Sequence, residues 1–381
     1  MIYISKYIFR PYMILCLTNM LSFLAWLFPS LDMLRKGFEV SRPIFSFGSF
    51  AYFTSLTLII AVSYLTYTSS GFFFQNKTSL EIKNQCMVSN KIYFLAILIA
   101  GVGLLDAIMS VLEKASFMQL LVFISSGQAN EIKYLLYEDY SVGLASLRYC
   151  VIISSAFLLY RRLCSVKMLY LDMTAVILLL ASSLMSSRLT FIASIVGGLY
   201  LYFYFKKRIK INIVKFILLL LLVFSFLSLL NWSRNSGYYE NRELSFFSGG
   251  ISEIITYLGS PVQGAMTAFE FADKISELDD FYRLSTIELN LNTNSSFHIY
   301  ISNYGYVGVL WLTMAIGVIS LAIGIFERYE CGRYVYINIP LIYSLAEFWR
   351  LPIFSEGIII TLIACALLIS FVGKYNIRFD K

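Results

Sequence analysis

Apolar runs of roughly twenty residues recur along the whole chain, separated for the most part by short polar stretches. A helix of that length crosses a hydrocarbon core of about 30 Å. The pattern therefore predicts an all-α polytopic membrane protein with about ten transmembrane helices. They fall near 12–30, 46–68, 92–110, 142–160, 169–186, 189–205, 213–231, 306–326, 334–349 and 357–373. The first run, Tyr12 to Pro29, ends without a small-residue cleavage site and reads as a span rather than a removable signal.

One interval breaks the rhythm. Residues 1–230 hold the first seven spans and 305–381 the last three, while 231–304 form one large loop outside the membrane. Loops of that length carry structure or function of their own. Within it, ISEIITYLGSPVQGAMTAFEFADKI predicts two short amphipathic helices broken at Gly259-Ser260-Pro261. Ile251, Ile254, Ile255 and Leu258 mark an apolar face, expected on the membrane surface or on the second helix, and Glu253 and Tyr257 mark another. A second outer segment, 111–141, is too short and too charged to span twice, and predicts an interfacial or re-entrant helix pair. No internal repeat is visible.

Composition agrees with the pattern: 59% of residues are hydrophobic and only 14% charged, about half the charge of an ordinary soluble domain. Placing both termini in the cytoplasm puts eighteen of the thirty basic residues on the inside, among them Lys6, Arg10, Lys206, Lys207, Arg208, Lys210 and Arg328. The net charge of +7 is then a property of the cytoplasmic face and no sign of nucleic-acid binding. Of the six cysteines, Cys86, Cys164 and Cys331 fall in inside loops and Cys16, Cys150 and Cys365 within spans, so no outer pair awaits oxidation. No spacing resembles a metal site.

Charges at membrane depth are the candidates for chemistry. Asp106, Arg148, Arg188, Glu347 and Arg350 all fall toward the outer ends of their spans. Arg188, in the tight turn SSLMSSRLTF, would present a fixed fork of donors to phosphate or carboxylate oxygens, or else snorkel from a helix end. Asp106 and Arg148 suit an internal pair, and Glu347 and Arg350, three residues apart, suit an ion pair or a substrate contact. In the acidic large loop, Arg234 and Arg242 frame NSGYYEN, where they serve a pyrophosphate or sugar acid or stay solvated. Glu253 is the carboxylate in that loop suited to general-base work, and Tyr257 and Tyr282 could stack on sugar faces. The only histidine, His298, lies in NTNSSFHIYISNYGYVGVL, either as a base or as a loop-closing hydrogen-bonding group.

These features resemble the Wzy-type O-antigen polymerases and, more distantly, the O-antigen ligases. The resemblance rests on the SSR turn of SSRLTFIASIVGGLYLYF, on the single long loop late in the chain, and on NTNSSF followed by Gly305 and Gly308. It implies a GT-C-like helical architecture at the periplasmic face of a bacterial inner membrane. The implied enzyme is a glycosyltransferase, independent of metals and cofactors, that moves a growing glycan from undecaprenyl pyrophosphate onto a lipid-linked repeat unit. Its partners would be that oligosaccharide substrate, the membrane lipids and a chain-length regulator protein. Residue by residue, Arg188, Arg234, Arg242, Glu253 and His298 are the expected catalytic groups, and Asn294, Ser295, Tyr257, Arg283, Arg350, Gly305 and Gly308 the expected substrate contacts. The two glycines are expected to allow close packing where the chain re-enters the membrane. The ligases carry their histidine where this chain has Asn294, four residues before His298, which disfavours a ligase. A lipid-linked oligosaccharide flippase and a non-catalytic scaffold are the other readings.

Overall fold

The computed structural model describes residues 2–28, 37–72, 88–138, 143–185, 188–206, 208–211, 213–240, 243–275, 277–288, 295–329 and 334–379. The first helices are α1 (Pro11–Leu27), α2 (Phe47–Ser69), α3 (Asn90–Leu112), α4 (Phe117–Ser125) and α5 (Asn130–Tyr137). There follow α6 (Val151–Leu163), α7 (Leu169–Met185), α8 (Arg188–Phe205), α9 (Ile213–Glu240) and α10 (Phe246–Glu270). The last are α11 (Leu278–Ser285), α12 (Ser296–Tyr304), α13 (Val307–Arg328), α14 (Asn338–Ala346) and α15 (Gly357–Phe379). Serine starts several of them, since its hydroxyl accepts an otherwise orphaned first-turn N–H. Ser46 caps α2, Ser89 caps α3 and Ser245 caps α10. Ser116 and Gln119 close a reciprocal capping box on α4.

The chain is a helical membrane protein. Four helices are long and apolar enough to span: α2, α3, the Leu144–Leu163 segment that runs from a tight 3₁₀ stretch into α6, and α13. Shorter apolar helices of 10–17 residues overlap the other six predicted intervals, in α1, α7, α8, α9, α15 and the segment leading into α14. One element departs from an all-helical chain. Strand β1 (Ile2–Ser5) pairs antiparallel with β2 (Arg208–Ile211), Ile2 opposite Ile211 and Ser5 opposite Arg208. This ribbon ties the N-terminus to the α8–α9 connection.

The predicted break at Gly259-Ser260-Pro261 does not occur. Residues 246–270 form one helix of 25 residues with Pro261 in its interior, so the large-loop region is not made of short helices alone. Proline removes a backbone donor and crowds the preceding turn, and a neighbouring helix packs against that turn. Ser22 of α1 donates its hydroxyl to the carbonyl of Leu258. A Cβ on Gly259 would lie 3.1 Å from the backbone N of Trp26 and 3.2 Å from the carbonyl of Ala25. Gly-Ser-Pro is thus the point where α1 and α10 cross at close range.

The apolar stripe of α10 does not pack on a second short helix, since the two predicted helices are one. Ser252, Glu253, Thr256, Gly259, Ser260, Gln263 and Thr267 are buried, while Ile251, Ile254, Ile255 and Leu258 are only partly covered. The polar and small residues face protein, as in helices packed within membranes, where small residues allow close approach. From Pro261 to Phe269 the helix is buried all round. It crosses the end of α1 and the start of α2, and it packs on α9 and α12 as well. The helix pair predicted for 111–141 is present as α4 and α5, with the Lys114 ammonium donating to the carbonyl of Leu135 at 3.1 Å.

Candidate functional site

Helix α14 stops at Ala346, and the turn that follows, ahead of Pro352, carries Glu347 and Arg350. Arg350 Nε donates to Glu347 Oε2 at 3.2 Å, and each side chain is 8% exposed. The predicted ion pair therefore forms, in a buried turn rather than along one helix. Trp349 Nε1 closes the same turn on the carbonyl of Ala346 at 2.8 Å. Two other elements converge here. The Tyr257 ring of α10 lies 5.7 Å from the Arg350 guanidinium, and Ser296 at the start of α12 donates to the carbonyl of Phe348. Tyr343, fully buried one turn earlier, stands beside both charges.

Charge bookkeeping at this turn is incomplete. A guanidinium carries five N–H donors, and buried donors are normally all matched. Among the described residues no acceptor meets Arg350 Nη2. A buried arginine with one partner and a spare donor is a ready site for an oxyanion, because phosphate and carboxylate oxygens match the guanidinium fork. Glu253 is buried on α10 one helical turn before Tyr257, so a carboxylate and an aromatic ring share one stripe of that helix.

A polar staple fixes α10 above the rest. Gln263 accepts from Trp26 Nε1 at 3.0 Å and from the backbone N–H of Arg42 at 3.1 Å. Its amide donates to the carbonyls of Val40 at 2.7 Å and Ser285 at 2.9 Å. Arg42 adds a bond from Nε to Thr267 Oγ1 at 3.3 Å, another from Nη2 to the carbonyl of Leu284, and a face contact with Phe271. Burial lowers the pKa of Arg42, while nearby Glu270 opposes that shift. The α1–α2 connection and α11 are thereby clamped onto one helix.

His298 is 5% exposed and stacks on Phe281 of α11, with ring centroids 3.6 Å apart and planes 13° from parallel. Its Nδ1 is buried without a hydrogen-bond partner, and burial pushes its pKa down to about 4. The imidazole is therefore neutral at pH 7 and a weak proton acceptor. Ser295 is fully buried and caps α12 by accepting from the Phe297 N–H at 3.3 Å. Arg283, expected as a substrate contact, is 75% exposed and pairs with Asp280 at 2.7 Å.

The two glycines divide. Gly308 packs closely as expected, since any Cβ there would collide with the carbonyl of Tyr300. Gly305 does not: nothing lies within 4 Å of its Cβ position, and its φ of +60° is the reason for glycine at the end of α12. Arg188 opens α8 and Arg234 lies in α9, but their side chains are outside the described residues, as are Arg242 and Asn294 entirely. Arg148 is fully buried and donates to the carbonyl of Ala145 at 2.8 Å and to the hydroxyls of Tyr137 and Tyr149 at 3.2 and 3.1 Å.

Of the expected residues, the structure gathers Tyr257 and Arg350, with Glu347, at one turn. Sequence reasoning passed over Gln263, Arg42, Tyr343 and Ser296. The signal for Gln263 was present: Ser252, Thr256, Ser260, Gln263 and Thr267 recur every three to four residues on α10, which marks a buried stripe. No protein family, curated protein or solved structure matches this chain.

Proposed function

We propose that this chain is an O-antigen polymerase of ten spans, working at the periplasmic face of a bacterial inner membrane with both termini in the cytoplasm. In this reading it transfers a growing glycan from undecaprenyl pyrophosphate onto a lipid-linked repeat unit. The observation that carries the proposal is the buried Arg350 guanidinium, held by Glu347 beside Tyr257 and keeping an unmatched donor.

The chemistry asks for such a group. The bond between the anomeric carbon and the pyrophosphate oxygen breaks, negative charge grows on the leaving pyrophosphate, and a preset guanidinium stabilises it. Arg188, Arg234 and Arg242 supply further positive charge on this reading. The acceptor hydroxyl forms the new glycosidic bond and gives its proton to a carboxylate, for which Glu253 is the candidate. His298, buried and stacked on Phe281, closes the loop rather than taking the proton.

Deletion of the gene in its host, followed by gel analysis of lipopolysaccharide, tests the proposal. A polymerase leaves lipid A-core capped by a single repeat unit, and the wild-type gene restores the ladder. Arg350→Ala fails to restore it at an unchanged protein level, and Arg350→Lys restores it weakly because a point charge replaces a fork. Loss of every O-antigen band on deletion would overturn the polymerase reading in favour of a ligase or flippase.

A further inference from the structure

We propose that the cavity at the N-terminal end of the bundle binds a zwitterionic phosphate–ammonium group, the chemistry of a phosphoethanolamine head group. Phe9, Arg10, Tyr67, Tyr200, Tyr204 and Glu327 line it. They come from the approach to α1 and from the ends of α2, α8 and α13, the level at which apolar helices give way to polar chain. Water-sized molecules have about 60 Å³ of room for their centres. One water needs about 10–15 Å³ on that measure, so the space takes a small polar head group and leaves no room for an acyl chain.

Part of the lining is cationic. Arg10 Nη1 donates to the Tyr12 hydroxyl at 3.0 Å, and the guanidinium lies 4.0 Å from the Tyr7 ring and 5.8 Å from the Tyr67 ring. Among the described residues no carboxylate pairs with Arg10. The remaining donors of its fork suit a phosphate.

Another part is anionic and aromatic. Glu327 accepts the Tyr67 hydroxyl on Oε2 at 2.7 Å and the Tyr200 hydroxyl on Oε1 at 3.1 Å. Asn338 donates to the Tyr200 oxygen at 2.8 Å, which leaves the phenol proton for Glu327 and keeps the carboxylate an acceptor. A carboxylate set among Phe9 and tyrosine rings attracts an ammonium group through charge; the Tyr67 ring already carries the Arg328 guanidinium at 4.9 Å. A purely anionic ligand would meet Glu327, and a purely cationic one would meet Arg10. A ligand with both charges close together satisfies both.

Tyrosines gather at membrane interfaces for general reasons, but these hydroxyls do not simply reach for water. Those of Tyr67 and Tyr200 turn onto the carboxylate, and that of Tyr204 onto the Glu327 carbonyl at 2.7 Å. The ends of the helices are held around one acidic residue, and Arg10, which has no carboxylate partner among the described residues, lines the same cavity. This site is independent of the chemistry proposed for the other end of the bundle.

The test uses the full-length protein in nanodiscs of phosphatidylglycerol mixed with increasing phosphatidylethanolamine, with retained lipid counted by native mass spectrometry. In parallel, soluble phosphoethanolamine is titrated into detergent-purified protein and read as a thermal shift. We expect phosphatidylethanolamine to be retained over phosphatidylglycerol, and Arg10→Gln and Glu327→Gln each to weaken that retention about tenfold. Arg10 is partly exposed, so its variant keeps the test informative if Glu327→Gln fails to fold. A shift with soluble phosphoethanolamine that Arg10→Gln abolishes supports the same head-group chemistry and, without lipid preference, assigns it a soluble ligand. Equal retention of the two lipids with no response to phosphoethanolamine, or retention indifferent to Arg10→Gln, overturns the proposal.

Discussion

Acidification protonates the imidazole of the unfolded chain well before it protonates His298. The ordinary pKa is 6.5 and burial holds the folded value near 4, so between those limits the unfolded state binds the extra proton. Stability is then fully present above pH 6.5 and is lost as pH falls toward 4, at about 1.36 kcal/mol per pH unit. The full window amounts to about 3 kcal/mol. At roughly 2.1 cal/mol/K per residue, a chain of 381 residues turns this into a fall in Tm of about 4 °C.

Other carboxylates titrate in the same range, so the measurement is a difference between two proteins. His298→Phe keeps a flat ring on Phe281 and removes the buried Nδ1 that has no partner. Any overpacking from the larger ring acts equally at every pH. Purified protein in detergent is unfolded at a fixed scan rate from pH 7.5 to 4.5, and tryptophan fluorescence is followed. The wild type should lose about 3 °C more than His298→Phe over that range, nearly all of it below pH 6.5. Parallel curves, or a steeper loss in the variant, would refute the idea that burial sets the imidazole's charge.

Gln263→Leu should be the most damaging single change at that end of the bundle. It removes four hydrogen bonds, those to Trp26 Nε1, the Arg42 N–H and the carbonyls of Val40 and Ser285, at a cost of several kcal/mol on the order of 1 kcal/mol per bond, seen as lost folded yield. Gly308→Ala should destabilise strongly through its clash with the Tyr300 carbonyl. Gly305→Asn should cost about 1–3 kcal/mol although the space around it is open, since φ of +60° with ψ of −155° is backbone that only glycine adopts readily. Thermal unfolding of the two variants side by side checks both costs. Arg283→Ala should leave both stability within about 0.5 kcal/mol and O-antigen ladders unchanged, because an exposed pair three residues apart contributes little.

The helices themselves were legible, because a twenty-residue apolar run leaves the backbone few other ways to satisfy its polar groups in lipid. The course of 246–270 was not. Pro261 and Gly259 read as breakers when the segment is placed in water, and as a crossing point once α1 is laid against it with Ser22 beneath Leu258. The isoleucines of α10 are its half-exposed side, and Ser252, Thr256 and Gln263 are buried. The sequence pattern was correctly periodic, but the periodicity alone does not say which stripe meets protein. Of the site, the Glu347–Arg350 pair was legible from spacing, while Tyr257 reaches it from a helix ninety residues earlier, a juxtaposition only the packing of α10 creates.

The two ends of the bundle hold buried charge in opposite ways, and the difference bears on what each can do. At the N-terminal end, each oxygen of Glu327 receives a tyrosine hydroxyl, and Asn338 fixes one of those tyrosines in turn. Such a network sets the geometry of helix ends, with Arg10 and Arg328 as the cations on the Tyr67 ring. At the other end, Arg350 has a single carboxylate partner and a donor still unmatched. A buried ion pair of this kind adds little to stability, since desolvation offsets the attraction. An anion entering beside Arg350 would complete its hydrogen bonding at a point already stripped of water, where electrostatic stabilisation of a leaving group is worth most. That asymmetry is why the Arg350 turn, and not the cavity beside Glu327, is the place to look for transfer chemistry.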